Sequence, residues 1–213
     1  ATYTLTFQFP FLSFFFESSD PYVGIWRVHD IGLHPKIIGE TYSPYQTLEK
    51  ESVRSLFPGR KRYSHKGTYG DALLISGCYG MMGAALLAGE SCLRSGAGLV
   101  TLHVPRFGYQ IIQTTLPEAI VSLDQSDILF SEAPNLDSYS AIGIGPGLGC
   151  KPNSGKGLKI LLEQTKVPLV IDADGLNILS KHTEWYELLP KDSILTPHPK
   201  EFDRLAGTSE NAY

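Results

Sequence analysis

From residue 66 onward the chain alternates short apolar runs with helix-length stretches, and this rhythm restricts the fold more than any other feature. The runs are Ala72–Ser76, Gly98–Val104, Ala141–Ile144, Pro168–Ile171 and Ser193–Leu195. Helices are expected at 82–95, 106–115, 154–165, 174–180 and 199–207, between or beyond them. Continuous apolar strands separated by helices predict a mostly parallel sheet covered on both faces, an α/β fold in three layers, α/β/α. A chain of 213 residues, 42% hydrophobic, is long enough for one such core with a small appendage.

The earlier residues have a different texture. Two β-rich runs, 2–9 and 23–31, flank a Ser18-Ser19-Asp20-Pro21 turn, and the second ends at Gly32. Residues 33–64 read as a polar linker with a short helix near 46–55, so the expected division is 1–32, 33–64 and 65–213. The first residues already lie in a strand-like run, and the chain reads as cut from something longer. The apolar stretch Phe9–Phe16 is too short to span a bilayer and no basic residue precedes it, so neither signal peptide nor anchor is expected.

Charge excludes one class of partner. The net charge is −4 and the basic residues are scattered apart from Arg60-Lys61-Arg62, which leaves no nucleic-acid footprint. Three cysteines, Cys78, Cys92 and Cys150, lack metal-ligand or C-x-x-C spacing and suit the reducing cytoplasm.

Four motifs stand at the predicted carboxyl ends of strands, where open α/β sheets bind ligands. Gly77, Gly80 and Gly83 lead into a helix whose free N–H groups can hold phosphate or ribose, or simply let the helix pack on the sheet. The cluster Gly143-Ile144-Gly145-Pro146-Gly147-Leu148-Gly149 fits neither the dinucleotide fingerprint nor a P-loop, because Leu148 or Cys150 falls where the third glycine belongs and Gly157 follows Lys156. It reads as bare backbone at a ligand wall. In Asp172-Ala173-Asp174-Gly175 the spacing is wrong for an EF-hand. Asp174 is expected to cap the next helix, which leaves Asp172 to face a polar ligand or a Mg²⁺-bound water. The segment Leu195-Thr196-Pro197-His198-Pro199-Lys200-Glu201-Phe202 presents His198 and Glu201 at a strand-to-helix corner, with a Thr196 cap and Glu201 in the first helical turn as the plain structural alternative.

In chain order, His65-Lys66-Gly67-Thr68-Tyr69-Gly70, Met82–Ala85, Arg94–Val100, Pro117-Glu118, Gly145–Gly149, Asp172–Asp174 and Leu195–Phe202 closely resemble the NAD(P)H-hydrate dehydratases of the ribokinase-like superfamily. The resemblance covers 65–208. Residues 1–31 resemble the closing strands of the epimerase domain that precedes the dehydratase in bifunctional bacterial proteins, although Phe11 stands where a Lys commonly follows the proline. Epimerase activity is not expected from this chain.

The resemblance implies repair of hydrated NADH and NADPH. The hydroxyl on the damaged ring is phosphorylated by ADP in bacterial members, or by ATP in eukaryotic ones, and phosphate is then eliminated. It also implies substrate contacts at Ala84, Gly147 and His198, a nucleotide or phosphate vicinity at Asp172, and a Mg²⁺-water role for Glu201, where related kinases carry Asn-x-x-Glu. The family's catalytic base and most of its ADP site lie in a downstream half, so no catalytic residue is expected within these 213 positions and the chain alone is expected to be inactive. A homo-oligomer acting on a small molecule is expected. The alternatives are a ribokinase-like kinase of a vitamin-like alcohol and a catalytically inert fragment.

Overall fold

The computed structural model describes residues 1–57 and 59–208. Positions 209–213, the end of the expected 65–213 segment, lie outside the described residues. The chain divides into two compact units, Ala1–Arg60 and Lys61–Tyr213.

In the first unit, β1 (Tyr3–Phe7) pairs with β2 (Ile25–His29) in parallel, with Tyr3 opposite Ile25 and Phe7 opposite His29. Parallel neighbours need a crossover rather than a tight turn. The expected Ser18–Pro21 turn is accordingly part of that crossover, as a 3₁₀ turn at Glu17–Ser19 followed by the short helix α1 (Asp20–Val23), with proline in its first turn. The apolar stretch before it makes a 3₁₀ turn at Leu12–Phe15 and lays Phe14 and Phe15 against Trp26, with ring centroids 5.8 and 5.7 Å away. Two further helices follow, α2 (Pro35–Glu40) and α3 (Lys50–Leu56). Only the second was anticipated. No helix among the described residues is long and apolar enough to cross a membrane.

The second unit is built on a six-stranded sheet, parallel throughout. Its strands are β3 (Asp71–Ile75), β4 (Leu99–Val104), β5 (Ile120–Leu123), β6 (Ala141–Ile144), β7 (Leu169–Ile171) and β8 (Ile194–Leu195), in the order β5-β4-β3-β6-β7-β8. The helices are α4 (Met82–Arg94), α5 (Gly108–Thr115), α6 (Pro152–Gln164), α7 (Ala173–Leu179) and α8 (Pro199–Ala206). From β3 the chain steps outward through β4 and β5, then returns to β6 and steps the other way. Right-handed crossovers running in opposite directions put their helices on opposite faces of the sheet.

The two cores follow from this. Leu102 and Val104 of β4 bury Met82, Ala85 and Ile112 of α4 and α5 on one face. On the other, Leu73, Ile75, Ile142, Ile144, Leu169 and Ile171 pack on Leu158, Leu161, Leu176 and Leu179 of α6 and α7. Strand β5 was not anticipated. It is a four-residue edge strand with both ends, Ile120 and Leu123, exposed, so its sequence carries neither a long apolar run nor a clean alternation.

Candidate functional site

The strand order reverses between β3 and β6, and ligands of open α/β sheets sit at the carboxyl side of such a reversal. Both neighbouring loops there are glycine-built. After β3, Gly77 and Gly80 have φ of +82° and +89°, and Met81 leads into α4 with no side-chain cap on the helix's first N–H groups. After β6, Gly147 has φ +66°. The loops bond to one another, Gly77 N–H donating to the Pro146 carbonyl at 2.9 Å.

Ala84 and Gly147 meet at this junction. A Cβ on Gly147 would lie 2.8 Å from the Ala84 Cβ and 2.9 Å from the Met81 carbonyl oxygen. The missing side chain therefore admits the start of α4 rather than leaving open room for ligand bulk, which changes the reason expected for glycine here. The wall facing outward is peptide backbone and one methyl group.

At the end of β7 neither carboxylate caps the helix that follows. Asp172 holds the N-cap position of α7, in extended conformation, yet its side chain caps nothing. Its carbonyl accepts from Gly175 N at 3.0 Å and lies so close to Gly145 that a Cβ there would overlap it. Asp174, expected as the cap, instead ties the glycine loop to α7: it accepts from Gly149 N at 2.9 Å and, on its other oxygen, from the Cys150 thiol and Asn177 Nδ2, each at 3.4 Å. Burial first, and then the Asp174 carboxylate, push the Cys78 and Cys150 thiols up.

At the end of β8 the cap of α8 is His198, not Thr196. Thr196 donates its N–H and hydroxyl to the Ile171 carbonyl, at 3.2 and 3.3 Å, and so belongs to the sheet. His198 Nδ1 accepts from Lys200 N at 3.2 Å, and Glu201 Oε2 accepts from His198 N at 3.0 Å, a reciprocal capping box. The second ring nitrogen, Nε2, lies 3.3 Å from Glu201 Oε1. The histidine side chain is 57% exposed and the glutamate 7%, so the carboxylate anchors from below a ring that faces solvent.

The fold thus brings Ala84 to Gly147 and His198 to Glu201. No hydrogen bond among the described residues links one pair to the other. Nor does any group of three or more His, Cys, Asp or Glu side chains among them stand ready to hold a metal ion. Both Glu201 oxygens face partners within the helix turn, so the described residues offer no direct ligand set for Mg²⁺, and the remaining lone pairs leave Glu201 a contact through water.

Sequence reasoning passed over a second histidine–carboxylate pair. His103 of β4 and Asp124, just after β5, are 2% and 1% exposed, with Nε2 3.3 Å from Oδ2. Ser122 lies 3.0 Å from His103 Nδ1. Burial by itself would raise the Asp124 pKa, but hydrogen bonds from His103, Ser131 and Ser126 outweigh it and hold the carboxyl far below the usual carboxylate range. The only sequence signal was polar residues at core-facing strand positions, which becomes readable once β5 is placed beside β4.

Comparison with known proteins identifies the family. Residues 72–212 match the model of the NAD(P)H-hydrate dehydratase family. The bifunctional NAD(P)H-hydrate repair enzyme of Moorella thermoacetica is 36% identical over 98% of this chain and 41% of its own length. The ADP-dependent (S)-NAD(P)H-hydrate dehydratase of Streptococcus thermophilus is 37% identical over 75% of this chain and 57% of its own length. Among solved structures, the Bacillus subtilis ADP/ATP-dependent NAD(P)H-hydrate dehydratase, co-crystallised with ATP/Mg²⁺, superposes with a TM-score of 0.62 at 37% identity, covering 75% of this chain and 55% of that one. A ribokinase-like superfamily protein of Enterococcus faecalis gives 0.65 at 25% identity, covering 78% and 60%. The chain spans about half the length of the relatives it matches. It belongs to the NAD(P)H-hydrate dehydratase family, and its sheet is ribokinase-like.

Proposed function

We propose that the protein carrying this chain removes water from the hydrated forms of NADH and NADPH with ADP as phosphoryl donor, and that this chain supplies the wall against which the hydrated cofactor lies. The observation that carries the reading is the junction of Ala84 with Gly147 at the strand-order reversal, in a chain of this family. The Streptococcus thermophilus and Bacillus subtilis dehydratases named above lend the choice of substrate and donor.

Each element has a distinct task in this reading. The uncapped N–H groups at the start of α4 point a positive dipole end at the cleft and favour an anionic group of the cofactor. Peptide and methyl surface at Gly147 and Ala84 lets a flat ring approach closely. His198 offers its exposed ring, held in orientation by Glu201, and a ligand acceptor would compete for the Nε2 proton that Glu201 Oε1 faces at 3.3 Å. Asp172 keeps an uncommitted carboxylate beside the glycine loop for a ribose hydroxyl or a phosphate-bound water. Glu201, held by its own helix turn, would reach a Mg²⁺ ion through water alone. The cytoplasm suits this repair, with all three cysteines free.

The test is direct. Purified full gene product is incubated with (6S)-hydrated NADH, Mg²⁺ and ADP. ADP-dependent recovery of the reduced nicotinamide absorbance, with stoichiometric phosphate release, is expected. Phosphate transfer to a vitamin-like alcohol with no recovery of NADH would replace this reading with a kinase.

A further inference from the structure

We propose that Asp124 is a positioning residue for the substrate wall, holding through the 125–131 loop the glycine turn that leads to Ala84; the substrate side of this rests on the function proposed above. Asp124 accepts five hydrogen bonds: from His103 Nε2 at 3.3 Å, Ser126 N and Ser131 N at 2.7 Å each, Ser131 Oγ at 2.5 Å and Glu132 N at 3.3 Å. Three of these come from the far end of the loop, so one carboxylate closes residues 125–131 into a ring. Charged acceptors make the stronger hydrogen bonds, and donors gathered on one buried acceptor fix their backbone together.

The ring's other side holds the turn. Tyr79 N donates to the Ile128 carbonyl at 2.8 Å, while Arg106 N and Phe107 N, at the entry to α5, donate to the Ser126 and Asp127 carbonyls at 3.1 and 3.2 Å. The Tyr79 and Phe107 rings lie 5.2 Å apart, closing the same contact from the side-chain direction. Between β3 and α4 three backbone bonds tie the turn to the rest of the unit: Ser76 N to the His103 carbonyl at its start, Gly77 N to Pro146, and Tyr79 N to Ile128 nearest the helix. Pro146 adjoins Gly147; Ile128 answers to Asp124. The Ser122–His103–Asp124 series has the composition of a nucleophile relay, but burial of His103 and Asp124 keeps it from any substrate.

Hydrogen exchange on the full gene product, wild type against Asp124→Asn and Ser131→Ala, separates positioning from general stability. The second variant deletes one hydroxyl donor and keeps the carboxylate, so it reports even where the first does not fold. Peptides spanning 77–82 and 125–132 should exchange about tenfold faster in Ser131→Ala while 154–164 of α6 is unchanged, and affinity for hydrated NADH, titrated well below the melting temperature, should fall about three- to tenfold. Wild-type exchange at 77–82, equal loss of protection in α6, or local loosening with unchanged affinity would each overturn the proposal. Absence of wild-type affinity for hydrated NADH would overturn the function proposed above and with it the substrate side of this role, whereas the exchange pattern would still decide whether Asp124 holds the turn.

Discussion

Two histidine–carboxylate pairs stand at opposite edges of one sheet with the same 3.3 Å separation, His103 of β4 with Asp124 just after β5, and His198 with Glu201 just after β8. What separates them is burial. In the first both partners are sealed and every donor around the carboxylate belongs to the chain. In the second only the glutamate is sealed, and the imidazole that it orients is open. The same chemical pair therefore serves as an internal anchor at one edge and as a presented group at the other.

The largest effect belongs to the sealed pair. Asp124→Asn would turn an amide donor toward backbone donors and leave part of the network unpaired, at a cost of about 3–5 kcal/mol in chemical denaturation. The pH dependence carries a sign. The folded pKa of Asp124 lies below its unfolded value, so its contribution is fully present above the ordinary carboxylate range and is lost as pH falls through the folded value. The variant lacks that titration, so below the ordinary carboxylate range its stability should fall less steeply with acid than the wild type's, and the gap between the two should narrow as pH falls. An unchanged acid profile would erase the distinction between the two pairs.

Gly147→Ala comes next and tests the ground between them. The new Cβ meets Ala84 and the Met81 carbonyl in a left-handed backbone, which predicts a loss of about 2–4 kcal/mol by denaturant midpoint. The substitution therefore disturbs packing as well as the substrate contact that the resemblance implies. A variant of wild-type stability would mean that the two glycine loops stand further apart.

Much of this was legible in the sequence and some was not, for physical reasons. Uninterrupted apolar runs at 72–76 and 141–144 announced buried parallel strands, and the structure has them. β5 escaped because an exposed edge strand has little reason to be apolar throughout. Asp124 and His103 lie 21 positions apart and become partners only across the β4–β5 pairing. The roles of Asp172 and Asp174 depend on which of them meets Gly149, a contact 25 positions away along the chain. Thr196 matched the cap pattern and His198 did not, but the sheet register engages Thr196 with Ile171 and leaves the cap to His198.

A smaller effect is expected from Glu201→Ala, which removes the buried half of the capping box. Its loss should be about 1–2 kcal/mol, read as a lower melting temperature, and the freed His198 ring should show a broader rotamer distribution by NMR. Stability unchanged within error would show that the box contributes nothing to α8. His198→Ala should cost least, about 0.5–1 kcal/mol, because the ring that gives up the Lys200 N hydrogen bond and the Glu201 Oε1 contact is more than half exposed.

That small structural cost makes His198→Ala the sharpest probe of function. Calorimetric titration of (6S)-hydrated NADH and of intact NADH into the full gene product, wild type and His198→Ala, measures both selectivity and its origin. The account predicts tighter binding of the hydrated form by the wild type, with the preference falling about tenfold or more in the variant while its melting temperature stays nearly unchanged. Equal affinity for the two cofactors, or a preference untouched by the substitution, would contradict the assignment of this edge as the substrate wall.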